Sequence, residues 1–124
     1  MEKQKILILD DDLDIGMMMK MMLQFKGYDV ALFTTPDKIE EEISNQPYDL
    51  IFVDMLLSGR NGIDICKALK SNPAVAVIPL IMMSAHPDAK QICLAAGVDD
   101  FIAKPFEVKE VLLKVVGLLE NVKE

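Results

Sequence analysis

The sequence predicts an α/β fold: one doubly wound (βα)5 domain whose five-stranded parallel sheet carries helices on both faces. Three observations predict it. Apolar runs of strand length alternate with segments of helical period, and that order repeats five times along 124 residues. Several of the runs are wholly apolar rather than alternating, as expected of strands covered on both faces of a parallel sheet. Parallel neighbours also need crossover connections, and right-handed crossovers put helices on both sides.

Each element follows in turn. The first strand, Ile6–Leu9, runs into Asp10-Asp11-Asp12-Leu13-Asp14. Asp12 and Asp14 suit the start of the first helix, whose dipole favours anions there. That helix has Ile15, Met18, Met19, Met22 and Leu23 at core spacing and closes near Gly27; its methionines read as core filler. The second strand lies near Asp29–Phe33, after which Thr35 as N-cap and Pro36 at the first helical position start a helix carrying Ile39 and Ile43. The third strand, Leu50–Val53, runs straight into Asp54. A loop through Ser58-Gly59-Arg60-Asn61-Gly62 precedes a helix with Ile65, Cys66 and Leu69. The fourth strand, Ile78–Met83, ends on Ser84, and a short helix spans about Asp88–Ala96. The fifth strand, Asp100–Ala103, ends on Lys104-Pro105, with Asp99 and Asp100 as turn residues before it. The last helix shows a stripe of Val108, Val111, Leu112, Val115, Leu119 and Val122.

Composition narrows the function. An apolar fraction of 52% supports a substantial core, and the length suits one domain over residues 1–124 with no second, output domain. No apolar run approaches the roughly 20 residues that span a membrane, and no signal-peptide stretch follows Met1, which points to the cytoplasm. A net charge of −7 disfavours direct nucleic-acid binding. Glu40-Glu41-Glu42 reads as a solvated helix face. Cys66 and Cys93 are far apart without CxxC spacing and read as reduced, buried thiols.

In an open α/β sheet, ligands bind outside the carboxyl ends of the strands. Four of the five strands deliver a charged or hydroxyl side chain there: Asp10 and Asp11, Asp54, Ser84 and Lys104. One such aspartate would mean little, since strand ends attract turn residues. Three carboxylates converging beside a hydroxyl and an ammonium mean more. They repel one another unless a cation joins them, and an all-oxygen set favours Mg2+ or Mn2+ over zinc. Lys104 can offset phosphoryl charge and Ser84 can donate a hydrogen bond to it. The constellation reads as a phosphoryl-transfer site with a carboxylate nucleophile.

These residues resemble the receiver domains of bacterial two-component signalling, the CheY-like family, from Lys5 to about Val122. The marks are ILILDDD, DLIFVDM with Gly59 and Gly62 after it, LIMMSA and FIAKPF, in that order. The resemblance implies a flavodoxin-like strand order of 2-1-3-4-5. It implies that Asp10 and Asp11 bind Mg2+ together with Asp54 and the backbone carbonyl of Leu56, and that Asp54 takes a phosphoryl group from a sensor histidine kinase or phosphotransfer protein. Ser84 and Lys104 would contact that group, Phe101 would be the aromatic switch, and Lys104-Pro105 would be cis. Partners would meet the surface of the fourth helix, fifth strand and fifth helix, either a downstream protein, an output domain or a second copy upon phosphorylation. The protein would be a switch rather than an enzyme in the ordinary sense, with slow self-dephosphorylation tuned by Leu56 and His86 at the approach of the attacking water. Two departures stand out: Ser58 and Asn61 occupy loop positions where the family commonly has proline and aspartate. Phe101 also lacks a phenolic hydroxyl.

Three rival functions fit less well. An FMN carrier needs a Ser/Thr/Gly-rich phosphate loop after the first strand, where this chain has Asp-Asp-Asp-Leu-Asp. An aspartyl-phosphate phosphatase would use Asp10 and Asp12 in a DxD arrangement but needs a cap domain and a longer chain. A pseudo-receiver that never reacts would have no use for the complete acidic set with Ser84 and Lys104.

Overall fold

The computed structural model describes residues 3–86 and 88–123, with side chains as far as Glu120. Ten elements alternate along the chain: β1 (Lys5–Leu9), α1 (Leu13–Phe25), β2 (Asp29–Phe33), α2 (Ile39–Asn45), β3 (Leu50–Asp54), α3 (Gly62–Lys70), β4 (Leu80–Ser84), α4 (Ala89–Ala95), β5 (Asp100–Ala103) and α5 (Val108–Lys123). The strands form one sheet of order β2-β1-β3-β4-β5, with every neighbouring pair parallel. This is the expected architecture.

Strand side chains alternate between the two faces, and that alternation sorts the core into two clusters. Leu7, Leu9, Ile51, Val53, Leu80, Met82 and Phe101 pack with Ile39 and Ile43 of α2, Ile65, Cys66 and Leu69 of α3, and Ala89 and Cys93 of α4. The intervening Ile6, Ile8, Leu50, Phe52, Ile81, Met83 and Ile102 pack with Met19 and Leu23 of α1 and Val111, Val115 and Leu119 of α5. Both faces are therefore apolar along each central strand. That is why these runs read as continuous rather than alternating.

Local chemistry sets several boundaries. Asp12 caps α1, its side chain accepting the Ile15 amide at 3.2 Å. Asn61 caps α3 in the same way, accepting from Ile63 at 2.7 Å. After α1 the chain turns through Gly27 at φ +99°, a left-handed conformation that glycine adopts without a Cβ clash.

Several expectations are corrected. Helix α2 starts at Ile39 rather than Pro36, because Lys38 sits at φ 57° and breaks the helical path. Residues 36–39 form a separate turn, with the Ile39 amide on the Pro36 carbonyl at 3.1 Å, so Thr35 does not cap the helix. Strand β4 begins at Leu80, later than Ile78; Pro79 has no amide hydrogen, and its carbonyl accepts from Ile51 at 3.0 Å. Met18 is 44% exposed, since only the stripe of Gly16, Met19 and Leu23 is buried on α1. Val108 likewise lies off the buried 111–115–119 stripe of α5, and the Val122 side chain falls outside the described residues. The acidic run on α2 is more than a solvated face: Glu40 pairs with Arg60 at 2.7 Å and Glu42 accepts the Tyr48 hydroxyl at 2.7 Å. Nor are Asp99 and Asp100 mere turn residues. Asp99 Oδ2 accepts Lys70 Nζ at 2.9 Å and the Leu80 amide at 2.8 Å, while Asp100 accepts Lys114 Nζ at 3.0 Å.

Gly62 begins α3 directly against the end of β3. A Cβ there would run into the Asp54 carbonyl oxygen and lie 2.9 Å from Met55 Cα. Both neighbours are backbone, which cannot rotate aside. Gly62→Ala is expected to destabilise the fold by about 1–3 kcal/mol, the range for overpacking, measured by urea denaturation. Gly117→Ala on α5, where a Cβ meets open space, serves as the comparison and is expected to lose nothing.

Candidate functional site

The carboxyl ends of β1, β3, β4 and β5 lie side by side because the strands are parallel and adjacent. Asp10, just past β1, is fully buried; its Oδ1 accepts the Asp12 amide at 2.9 Å. Asp54, the last residue of β3, is also buried, and its Oδ1 accepts the Leu56 amide at 3.2 Å. The remaining oxygens turn to one cation. Lys104 Nζ donates to Asp10 Oδ2 at 2.9 Å and to Asp54 Oδ2 at 2.7 Å. Its backbone amide is fixed on the Ser84 carbonyl at 2.9 Å, extending the β4–β5 ladder. From β5 the lysine stem crosses the end of β4 to reach β3, two strand spacings or roughly 10 Å away. The Lys104-Pro105 peptide is cis, as expected.

Burial raises the Asp10 pKa above the usual carboxylate range, against the Lys104 hydrogen bond, and the neighbouring Asp54 charge adds to the rise. Burial alone would lower the Lys104 pKa, but hydrogen bonds to Asp54 and then Asp10 outweigh it and raise it. The ammonium therefore stays charged between two carboxylates.

Asp11 is exposed at the rim, and its Oδ2 accepts both the amide and the hydroxyl of Ser58, each at 3.2 Å. One oxygen each from Asp10, Asp11 and Asp54 lies within 4.8 Å of the others. Such an all-oxygen donor set, spaced closely around one point, fits a hard divalent cation such as Mg2+ or Mn2+.

The other expected residues fall as follows. Ser84 ends β4 and is buried; its Oγ accepts the His86 amide at 3.0 Å, which leaves the hydroxyl hydrogen to donate elsewhere. His86 is exposed, with Nδ1 accepting the Asp88 amide at 3.2 Å. Leu56 is 63% exposed and forms an isolated bridge with Asn61 across the loop. Phe101 is not at the site itself but in the core beneath it, buried and in register with Met82. The structure thus joins Asp10, Asp54 and Lys104 directly, sets Asp11 beside them and keeps Ser84 and His86 linked on the adjacent strand end. Sequence reasoning missed Ser58 as the partner of Asp11. The available signal is a hydroxyl residue four positions after Asp54.

The profile of the response regulator receiver domain matches residues 6–116. The DNA-binding response regulator MtrA of Mycobacterium tuberculosis is 33% identical over 121 residues, covering 96% of this chain and 52% of that protein. The chain thus spans about half the length of the curated relatives it matches. A two-component response regulator from Clostridium difficile superposes with a TM-score of 0.89 at 28% identity, covering 98% of this chain and 100% of that one. A CheY-like receiver domain protein from Methanospirillum hungatei superposes with a TM-score of 0.88 at 26% identity, covering 97% of this chain and 96% of that one. No helix among the described residues is long and apolar enough to cross a membrane. Order of strands, the acid-and-lysine cluster at their ends and these matches agree, and the chain belongs to the receiver domain family of two-component response regulators.

Proposed function

We propose that this receiver domain acts in phosphorelay signalling by accepting a phosphoryl group on Asp54. The observation that carries the reading is the contact of Lys104 Nζ with both Asp54 and Asp10, beside a third carboxylate within 4.8 Å. The donor is a phosphohistidine of a sensor histidine kinase or phosphotransfer protein. An Asp54 oxygen forms the new bond to phosphorus while the P–N bond breaks, and that electron pair stays on the leaving imidazole nitrogen. Asp10, Asp11, Asp54 and the Leu56 carbonyl would hold Mg2+, or Mn2+ in its place. When bound, the ion offsets carboxylate repulsion and the charge on the phosphoryl oxygens. Lys104 contributes a second positive charge at the same point, and the free hydrogen of Ser84 supplies a directed donor.

Phosphorylation adds charge that draws the Ser84 hydroxyl inward. The His86 amide is bonded to Ser84 Oγ, so the loop after β4 moves with it. Ser84 and Phe101 share a sheet face by alternation from Met82 and its partner; an inward Ser84 changes the space available to Phe101. The responding surface is α4–β5–α5, where Ile92 and Leu94 of α4 already stand exposed. A downstream protein, an output domain or a second copy would read that surface. The DNA binding named for MtrA suggests one such output, while the charge of −7 argues against this domain binding nucleic acid itself.

Incubation with acetyl phosphate and Mg2+, followed by intact-mass measurement, should add one phosphoryl group to the wild type. Asp54→Asn should remove that gain and keep the fold; a persisting gain would place the acceptor elsewhere. Asp11→Ala is expected to weaken Mg2+ binding in a calorimetric titration, and an unchanged affinity would remove Asp11 from the ligand set.

The lifetime of the phosphorylated state depends on water reaching the phosphorus in line. Leu56 is exposed beside Asp54, and an apolar side chain there cannot orient water. Leu56→Asn is expected to quicken decay about tenfold, equal to about 1.4 kcal/mol in the barrier. Phosphoprotein decay after donor removal, compared with His86→Ala, tests this; decay no faster than wild type overturns the role of Leu56.

A further inference from the structure

We infer that Ser58 is a positioning residue for the divalent cation, holding the Asp11 carboxylate in a geometry ready for the ion. The inference rests on the reading of Asp11 as a ligand. Asp11 is the one exposed member of the acidic trio; Asp10 and Asp54 are fixed by burial and by Lys104. An exposed aspartate would sample several rotamers and lose that freedom on binding. Ser58 removes much of the freedom in advance. Its amide and its hydroxyl both donate to Asp11 Oδ2 at 3.2 Å, across 47 residues of sequence. Among the described residues no hydrogen bond reaches the other oxygen, Oδ1. The carboxylate is thereby anchored through one oxygen with the second available to a ligand.

The same bonds join two halves of the site. Ser58 belongs to the loop between β3 and α3, which also carries Leu56, while Asp11 follows β1. Partners that orient a ligating carboxylate are commonly worth a tenfold or greater change in metal affinity. Proline at position 58, expected there on the family resemblance, has neither an amide hydrogen nor a hydroxyl. This chain therefore has a device that a proline-bearing loop lacks.

Calorimetric titration with MgCl2 alone tests the inference on the unphosphorylated full chain. Ser58→Pro removes both donors and is expected to weaken Mg2+ binding about tenfold, the low end for an outer partner at an exposed site. Ser58→Ala keeps the amide and is expected to weaken it about threefold, half of that effect in free energy. Ser58→Thr retains both donors and should restore wild-type affinity, which a loss of general loop structure would not predict. Melting temperatures of the apo proteins, measured alongside, should show no ordering that parallels the affinities. Unchanged or tighter binding in both Ser58→Ala and Ser58→Pro overturns the inference, as does a Ser58→Thr variant no better than Ser58→Ala. Asp11→Ala separates the two levels. If it leaves Mg2+ affinity intact, the assignment of Asp11 as a ligand fails; if it weakens binding while the Ser58 variants do not, only the role of Ser58 fails.

Discussion

Two buried carboxylates on neighbouring strand ends are the constraint around which this domain is arranged. Two carboxylates so placed repel each other unless a cation joins them, and burial raises the Asp10 pKa. Lys104 is the cation that the chain itself provides, touching both at 2.9 and 2.7 Å. Its position depends on the fold at every step. The sheet must be parallel for β1, β3 and β5 to end on one edge, and β4 must stop at Ser84 for the lysine to cross it. The cost of burying charge is thus met by topology, because no local segment brings residues 10, 54 and 104 together.

The loop from Met55 to Asn61 shows the same dependence on a smaller scale. It must leave β3 at Asp54, pass the mouth of the site and re-enter as α3 within eight residues. The Gly62 amide bonds the Met55 carbonyl at 2.8 Å, which folds the loop back on its own start. That closure leaves no room for a Cβ at residue 62, and the left-handed turn at Gly59, with φ +90°, supplies the reversal between. Asn61 then caps α3, doing with its side-chain oxygen what an aspartate would do there. The two loop departures from the family pattern, at Ser58 and Asn61, are therefore both accommodated by specific hydrogen bonds.

Much of this was legible from residues alone, and the reason is physical. A strand buried on both faces leaves a run of apolar residues such as Ile6–Leu9 or Leu50–Val53, and charged or hydroxyl residues at the ends of four strands together have few explanations other than a site. What stayed hidden depends on conformation or distant partners. The left-handed Lys38 delays α2, and nothing in the residue type announces it. The run Glu40-Glu41-Glu42 reads as solvated because Arg60 and Tyr48, its partners, lie on other segments. Asp99 looks like a turn residue until Lys70, on α3, is found donating to it and to the Ala76 and Ile78 carbonyls. Three methionines at helical spacing on α1, Met18, Met19 and Met22, read as core, yet the sheet has room for one stripe, and Met18 is turned outward. Ser58 is the most instructive omission, since its partner is adjacent to the site but 47 residues away in sequence.

The helices are held unequally against the sheet, and this bears on which element is able to respond. Helix α5 buries Val111, Val115 and Leu119, and α2 buries two isoleucines. Helix α4 buries only Ala89 and Cys93, while its larger apolar residues, Ile92 and Leu94, are exposed. Each missing methylene of burial forgoes about 0.8 kcal/mol, so α4 is the helix that the core anchors most weakly. A sulfur contact, Cys93 Sγ to Met55 Sδ at 4.0 Å, joins it to the residue directly after Asp54. Burial pushes the Cys93 pKa up to about 11, so the thiol stays neutral and serves as soft apolar packing rather than as a charge. Local stability varies across a fold, and elements that move are drawn from its weakly packed end. A helix seated by an alanine and a neutral thiol, beside a strand that ends on Ser84, can shift at smaller cost than any helix on the opposite face.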